Sequence, residues 1–288
     1  MAKKKAEPEI KRRGLMAGVA AAMVVGIAGG AMLGFGALER RASEELSTRV
    51  GEIEIVWPPL EAQTPEGETT WMPASERRRL RAMVEEILRE TDPLSGQPLR
   101  DVGEALLRTG WFTSAPTVRR TSDLGVRISG AWRLPGAAVR TSDGDRLISW
   151  DGAPLPLVYG QGQSGQRVIV GAWRVPERRW TAEGRWPSED VLAGLELLAL
   201  LRASGLDGQV AGVDVEPYTR DKTLVLLTRR GGRVVWGGAP GSFTPGEVSD
   251  EIKLERLRTL LERTGMLDAG KERIEIFGPR VLLDRTGG

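Results

Sequence analysis

Residues 14–38, GLMAGVAAAMVVGIAGGAMLGFGAL, form an unbroken apolar run without a charged residue. As a helix, 25 residues extend about 37 Å, against roughly 30 Å of bilayer hydrocarbon. The pattern predicts a transmembrane helix over 14–38, after a basic tail at 1–13 and before a charged linker at 39–50. Beyond it the pattern breaks into short periods. Residues 51–57, GEIEIVW, alternate polar and apolar positions as a strand does. Leu80, Met83, Val84, Ile87 and Leu88 fall on one face of a helix starting near Ser75, and Arg77, Arg78, Arg79 and Arg81 fall outside it as a solvated face. A second helix carries Leu99, Val102, Leu106 and Leu107 and ends at Gly110. Two strands follow, over 117–120 and 124–131. Strand, helix, helix, strand, strand within about eighty residues predicts an α+β domain over 51–134.

From Pro135 the pattern changes to short strands and turns. Val139-Arg140 and residues 146–150 flank Asp143-Gly144, a hairpin signal. Further strands are expected over 167–173, 210–215, 223–229, 233–236, 273–277 and 280–284. Two helices interrupt them. One starts at Ser188 with Val191, Leu192, Leu195, Leu198 and Leu201 in a stripe. The other spans 249–263 with Leu254, Leu257 and Leu261. The expectation for 135–285 is a mostly β domain with two covering helices.

Composition narrows the chemistry. The chain of 288 residues contains no cysteine and no histidine. Disulfides, thiolate nucleophiles, histidine-based triads and most zinc chemistry are therefore excluded. Catalysis through carboxylates or lysine is what remains open. The formal charge of +2 is unevenly spread. Lys3, Lys4, Lys5, Lys11, Arg12 and Arg13 face only Glu7 and Glu9 in the first 13 residues, leaving 35 basic against 37 acidic side chains in the rest. A nucleic-acid binder needs a basic stripe on its folded part; none is evident, and nucleic acid is not an expected partner. The basic head places the N-terminus in the cytoplasm. The run is longer than the apolar core of a cleaved signal peptide, and Ala37-Leu38-Glu39 is a poor cleavage site, so a signal anchor is the expectation. With no second long apolar run, the expected arrangement is a single pass with the body extracytoplasmic.

Within the run, Gly18, Ala22, Gly26, Gly30 and Gly34 recur every fourth residue, a strip that would let a second helix approach closely. Gly160-Gln161-Gly162-Gln163-Ser164-Gly165 is formally GxGxxG, but it leads into a strand pattern, whereas dinucleotide binding needs a helix N-terminus there. Asp143, Asp145 and Asp151 lack the spacing of a calcium loop and read as turn chemistry. Asp214 and Glu216 alternate with Val213 and Val215 and read as the polar face of a strand. The nine tryptophans follow no period; Trp180 and Trp186 are candidates for an exposed contact pair. Neither catalytic, cofactor nor metal residues are assigned.

Several passages, in order, resemble the FtsQ/DivIB family of bacterial cell-division proteins. They are Leu106-Leu107-Arg108-Thr109-Gly110-Trp111-Phe112, then Ala115 to Arg120, then Leu124-Gly125-Val126-Arg127-Ile128. Arg146-Leu147-Ile148-Ser149-Trp150-Asp151-Gly152 is similar to the hairpin that opens the family's β-domain. The strand over 223–229 with Gly231-Gly232 and Val234-Val235-Trp236-Gly237, the helix segment Lys253-Leu254-Glu255-Arg256-Leu257, and residues 274–283 continue the likeness. The resemblance implies a cytoplasmic tail, one membrane helix, a POTRA-like domain and a β-domain. It also implies a non-catalytic scaffold at the septum of the inner membrane, partnered by FtsB/FtsL-type bitopic proteins, with no cofactor and no small-molecule substrate. A free edge strand is the physical means of such docking. The expected edge is residues 280–284, with Phe277, Arg280, Val281, Leu282, Leu283 and Asp284 as partner-binding residues. Two rival readings are a POTRA-bearing envelope assembly or secretion component and a membrane-anchored envelope enzyme.

Overall fold

A computed structural model describes residues 51–59, 70–89, 95–122, 125–173, 184–242 and 244–283. They group into two compact units, one of the described residues up to Val102 with those of Val118–Ile128 and one of Gly103–Thr117 with the described residues from Ser129 onward.

Alternation builds the first unit. In β1 (Ile53–Ile55) both isoleucines are buried and Glu54 is exposed. After α1 (Ala74–Arg89) and α2 (Gln97–Arg108) come β2 (Thr117–Arg120) and β3 (Val126–Ser129), and the sheet order is β1-β3-β2. β1 runs parallel to β3, pairing Ile53 with Val126 and Ile55 with Ile128, which puts four buried apolar side chains on one face. Leu80 and Val84, one helical turn apart on α1, are also fully buried.

The second unit holds one nine-stranded sheet. Its strands are β4 (Pro135–Thr141), β5 (Gly144–Ser149), β6 (Pro154–Tyr159), β7 (Val168–Val170), β8 (Val210–Asp214), β9 (Leu224–Thr228), β10 (Arg233–Gly237), β11 (Arg273–Glu275) and β12 (Leu282–Leu283). They lie in the order β12-β11-β10-β9-β8-β7-β4-β5-β6. Helix α3 (Glu189–Ala203) connects β7 to its parallel neighbour β8, and α5 (Asp250–Thr264) connects β10 to its parallel neighbour β11. Between them a one-turn helix, α4 (Tyr218–Asp221), follows β8. The core of this unit joins Val139, Ile148, Ile169, Val213, Leu226, Val234 and Ile274 of the strands to Val191, Leu195, Leu198 and Leu201 of α3 and Leu254 and Leu257 of α5.

These observations correct the expected fold class. The expectation was α+β, with a single transmembrane helix, a POTRA-like β-α-α-β-β domain and a mostly β domain with two covering helices. The observed chain is α+β with a large nine-stranded sheet. Among the described residues no helix is long and apolar enough to cross a membrane. The longest of them, α1, has 16 residues, about 24 Å, and is mostly charged on its outer face. The run at 14–38, with its flanks, lies outside the described residues. The two helices read as covers are crossover connections. Each joins parallel strands, which a tight turn cannot do, and so fuses separate hairpins into one sheet.

β6 is also an addition, since residues 154–159 carry no strand signal. Pro154 and Pro156 each remove a backbone donor, which a sheet tolerates at an edge. β6 is the edge opposite β12.

Candidate docking edge

β11 places Ile274 toward the core, fully buried, with Arg273 and Glu275 on the other face, 3.1 Å apart as an ion pair. β12 runs antiparallel to it, pairing Ile274 with Leu283 and Glu275 with Leu282. Paired residues share a face of the sheet. Leu283 therefore extends the core face past the last buried isoleucine, and Leu282 stands beside the Arg273–Glu275 pair. Both leucines are exposed, Leu282 at 59% and Leu283 at 48%. A cavity of about 210 Å³ is lined by Arg273, Glu275, Leu282 and Leu283. β12 ends the strand order, so its outer side is a free sheet edge among the described residues.

The turn between β11 and β12 is fastened from two directions. The Val248 N–H donates to the Phe277 carbonyl at 2.8 Å. From α5, Arg256 Nη1 donates to the carbonyls of Ile276 at 2.5 Å and Gly278 at 2.6 Å, and Nη2 to that of Pro279 at 3.1 Å. Arg256 is thus the residue that holds the edge strand's approach. The sequence carries it only as one arginine of a polar helix face, since its acceptors lie 20 to 23 residues away in the chain.

The expected partner-binding residues separate into three groups. Leu282 and Leu283 form the edge strand itself, preceded by Val281, which is half-buried against the core. Phe277 and Arg280 lie in the turn, half-buried and exposed respectively. Asp284 lies outside the described residues, as do Gly18, Ala22, Gly26, Gly30 and Gly34 of the small-residue strip. Trp186, expected in an exposed pair, is 2% exposed and part of the core; Trp180 is outside the described residues.

Several acids of this unit, among them the buried Asp145, Asp214 and Asp268, accept hydrogen bonds from cations, N–H groups or a hydroxyl. Asp145, 1% exposed, accepts from Arg140 Nε at 2.9 Å and Nη2 at 3.1 Å and from the Gly162 N–H at 2.7 Å. The arginine hydrogen bonds hold its carboxyl below the usual range against the opposing effect of burial. The same carboxylate pins the glycine-rich loop, which leads into β7. Asp214 pairs with Arg233 at 2.5 Å, and Asp268 accepts from Thr228 Oγ1 at 2.6 Å. Asp151 experiences a large burial effect that alone would raise its pKa. Hydrogen bonds from Ser149, Arg133 and the Ala153 N–H outweigh it, and the carboxyl lies below its ordinary value. Among the described residues no group of three or more acids could hold a metal ion.

No family model matches the chain, and no curated protein matches it.

Proposed function

We propose that this chain is a non-catalytic docking protein of the bacterial division apparatus, and that β12 is the edge on which a partner strand is received. The observation that carries the reading is the pair Leu282–Leu283, a short strand at the end of the sheet order with an outer side free among the described residues and two exposed leucines. A partner strand laid along β12 would gain main-chain hydrogen bonds and cover Leu283 with apolar side chains, continuing the core face. The Arg273–Glu275 pair beside Leu282 sets a polar requirement on the other face. The ordered likeness to FtsQ/DivIB proteins supports the choice of apparatus, with FtsB/FtsL-type bitopic proteins as the partners and recruitment at the septum as the task. Placement at the inner membrane with the body extracytoplasmic belongs to the same proposal and rests on the basic head and the apolar run of the sequence.

The test is replacement of Val281 or Leu283 by proline, which removes a backbone donor and stiffens the edge. Capture of an FtsB-type protein from the same organism is expected to fall at least about tenfold, corresponding to roughly 1.4 kcal/mol, with the thermal midpoint nearly unchanged. Co-purification at the wild-type level in both variants would refute the docking edge. A fluorescent fusion spread evenly around dividing cells, without a mid-cell band, would refute the division reading.

A further inference from the structure

A second surface feature lies four strand positions from β12, about 19 Å at the usual strand spacing. It sits where β7 and β8, parallel neighbours, both end. β7 turns away at Gly171, whose φ of +79° and close approach to Glu216 suit glycine alone. Two residues on, the Trp173 N–H donates to Asp190 Oδ2 at 2.7 Å, which ties that backbone to the first turn of α3. The Trp173 indole nevertheless stands 69% exposed, the largest exposed aromatic side chain among the described residues. In the same cleft, Tyr218 of α4 is 5% exposed and belongs to the core, with its hydroxyl donating to Glu189 Oε1 at 3.3 Å. Together with Ser188, Arg220 and Lys222 these residues line a cleft of about 480 Å³, large enough for a side chain and its neighbours.

The cleft already holds a cation. Lys222 Nζ lies 3.0 Å from Glu189 Oε2 and 4.6 Å from the centre of the Tyr218 ring. This is the arrangement of a cation–π site completed by a carboxylate. The contact is made by a residue with φ +56°, a left-handed conformation that a lysine adopts at a cost. Both ionic partners are largely in water, at 58% and 74% exposure, so the pair is readily exchanged. Burial pushes the Tyr218 phenol up to about 12, with Glu189 adding to the effect, so the hydroxyl remains a donor to that carboxylate. Among the described residues the lining carries two acids, Glu189 and Asp190, and two bases, Arg220 and Lys222. With Lys222 displaced the acids outnumber the remaining base, which favours a basic visitor.

We propose that this cleft is a docking site for an arginine or lysine side chain of a partner polypeptide, received between Trp173 and Tyr218 against Glu189 in the place Lys222 now fills. Lys222 acts as the internal stand-in, and its displacement uncovers the tyrosine face. Arginine is the better occupant, because its planar guanidinium stacks on aromatic faces while bonding a carboxylate. The site is separate from the β12 edge and does not depend on it.

The probe is a fluorescein-labelled Gly/Ser peptide with one central arginine, compared with its citrulline counterpart, measured by anisotropy against the full chain in detergent. Lys222→Gly removes the stand-in and suits the left-handed backbone, and it is expected to tighten arginine-peptide binding at least fivefold. Glu189→Gln and Trp173→Ala are each expected to weaken it at least fivefold, and Leu283→Pro to leave it unchanged. Equal binding of the arginine and citrulline peptides would overturn the proposal. So would Lys222→Gly protein that binds no better than wild type, or that binds nothing measurable. Self-association of the Lys222→Gly chain that excludes the peptide would assign the cleft to a second copy and overturn it as well.

Discussion

Arg256 Nη1 lies 2.6 Å from the carbonyl oxygen of Gly278, and through that contact a helix on one side of the second unit controls the turn that delivers the edge strand. The same guanidinium reaches the carbonyls of Ile276 and Pro279, so one side chain satisfies three acceptors in four residues. Hydrogen bonds to a charged donor contribute about 1.5–3 kcal/mol. Arg256→Ala is therefore expected to cost roughly 2 kcal/mol, seen as a drop of a few degrees in the thermal midpoint. Hydrogen exchange at Leu282 and Leu283 is expected to rise with it, while exchange at β4 and β8 stays protected. Unaltered exchange at the two leucines would show that the turn holds itself.

Lys253 presents a different balance. Its ammonium is 3% exposed, 2.8 Å from Glu247 and 3.7 Å from Asp250, and lies 5.0 Å from the centre of the Trp236 ring. Glu247 also accepts the Gly238 N–H with both oxygens at 3.0 Å, so the lysine closes a network that orders the chain between β10 and α5. Removing one member of a buried pair leaves the other uncompensated, at a typical cost of 3–5 kcal/mol. Lys253→Met is expected near the lower end, about 3 kcal/mol, because Glu247 keeps its backbone donor, the Gly238 N–H. Urea unfolding measures it, and a loss under about 1 kcal/mol would mean that the pair is solvated.

How much of this was legible beforehand depends on the range of the interactions. Leu80, Val84 and their neighbours mark α1 because an amphipathic face is written within one helix. The Asp143-Gly144 turn marks the β4–β5 hairpin for the same local reason. α3 was legible as a helix but understated, since Ala193, Gly194 and Leu197 are buried beside the expected stripe. A helix enclosed on several sides shows little amphipathic contrast. The crossovers that place β7 beside both β4 and β8 leave no periodic trace, so one nine-stranded sheet looked like separate hairpins. β6 was hidden by its two prolines. At the candidate edge, Leu282 and Leu283 were legible as the end of a strand pattern. The Arg256 clamp and the Trp173–Tyr218 cleft arise only where distant segments meet.

Asp145 should leave a signature in acid. Its pKa is lowered in the folded chain, chiefly by the Arg140 hydrogen bonds, relative to an ordinary value of about 4. A depressed folded pKa contributes stability that is full above the unfolded value and is lost as pH falls through the folded one. The wild type is therefore expected to lose this contribution as pH drops below about 4, with no corresponding change between pH 5 and 8. Asp145→Asn should be less stable at neutral pH and show a flatter loss in the acid window. Equal slopes for the two proteins below pH 4 would assign the acid sensitivity to other carboxylates.

Gly212 sets the spacing between the two parallel strands whose ends form the cleft. It pairs with Val168, and a Cβ at position 212 would lie only 1.9 Å from the Val168 carbonyl oxygen. That oxygen is backbone and cannot move aside without parting β7 from β8. Gly212→Ala is therefore expected to cost about 3 kcal/mol or more, at the upper end for overpacking. Gly208, four residues earlier, is the internal control, because a Cβ there meets nothing within 4 Å. Gly208→Ala should leave the unfolding midpoint within about 0.5 kcal/mol of wild type, as surface changes usually do. Chemical denaturation of both variants decides the matter. If Gly212→Ala is as stable as Gly208→Ala, the two strands can separate without penalty, and the close approach at Val168 is not what holds this half of the sheet in register.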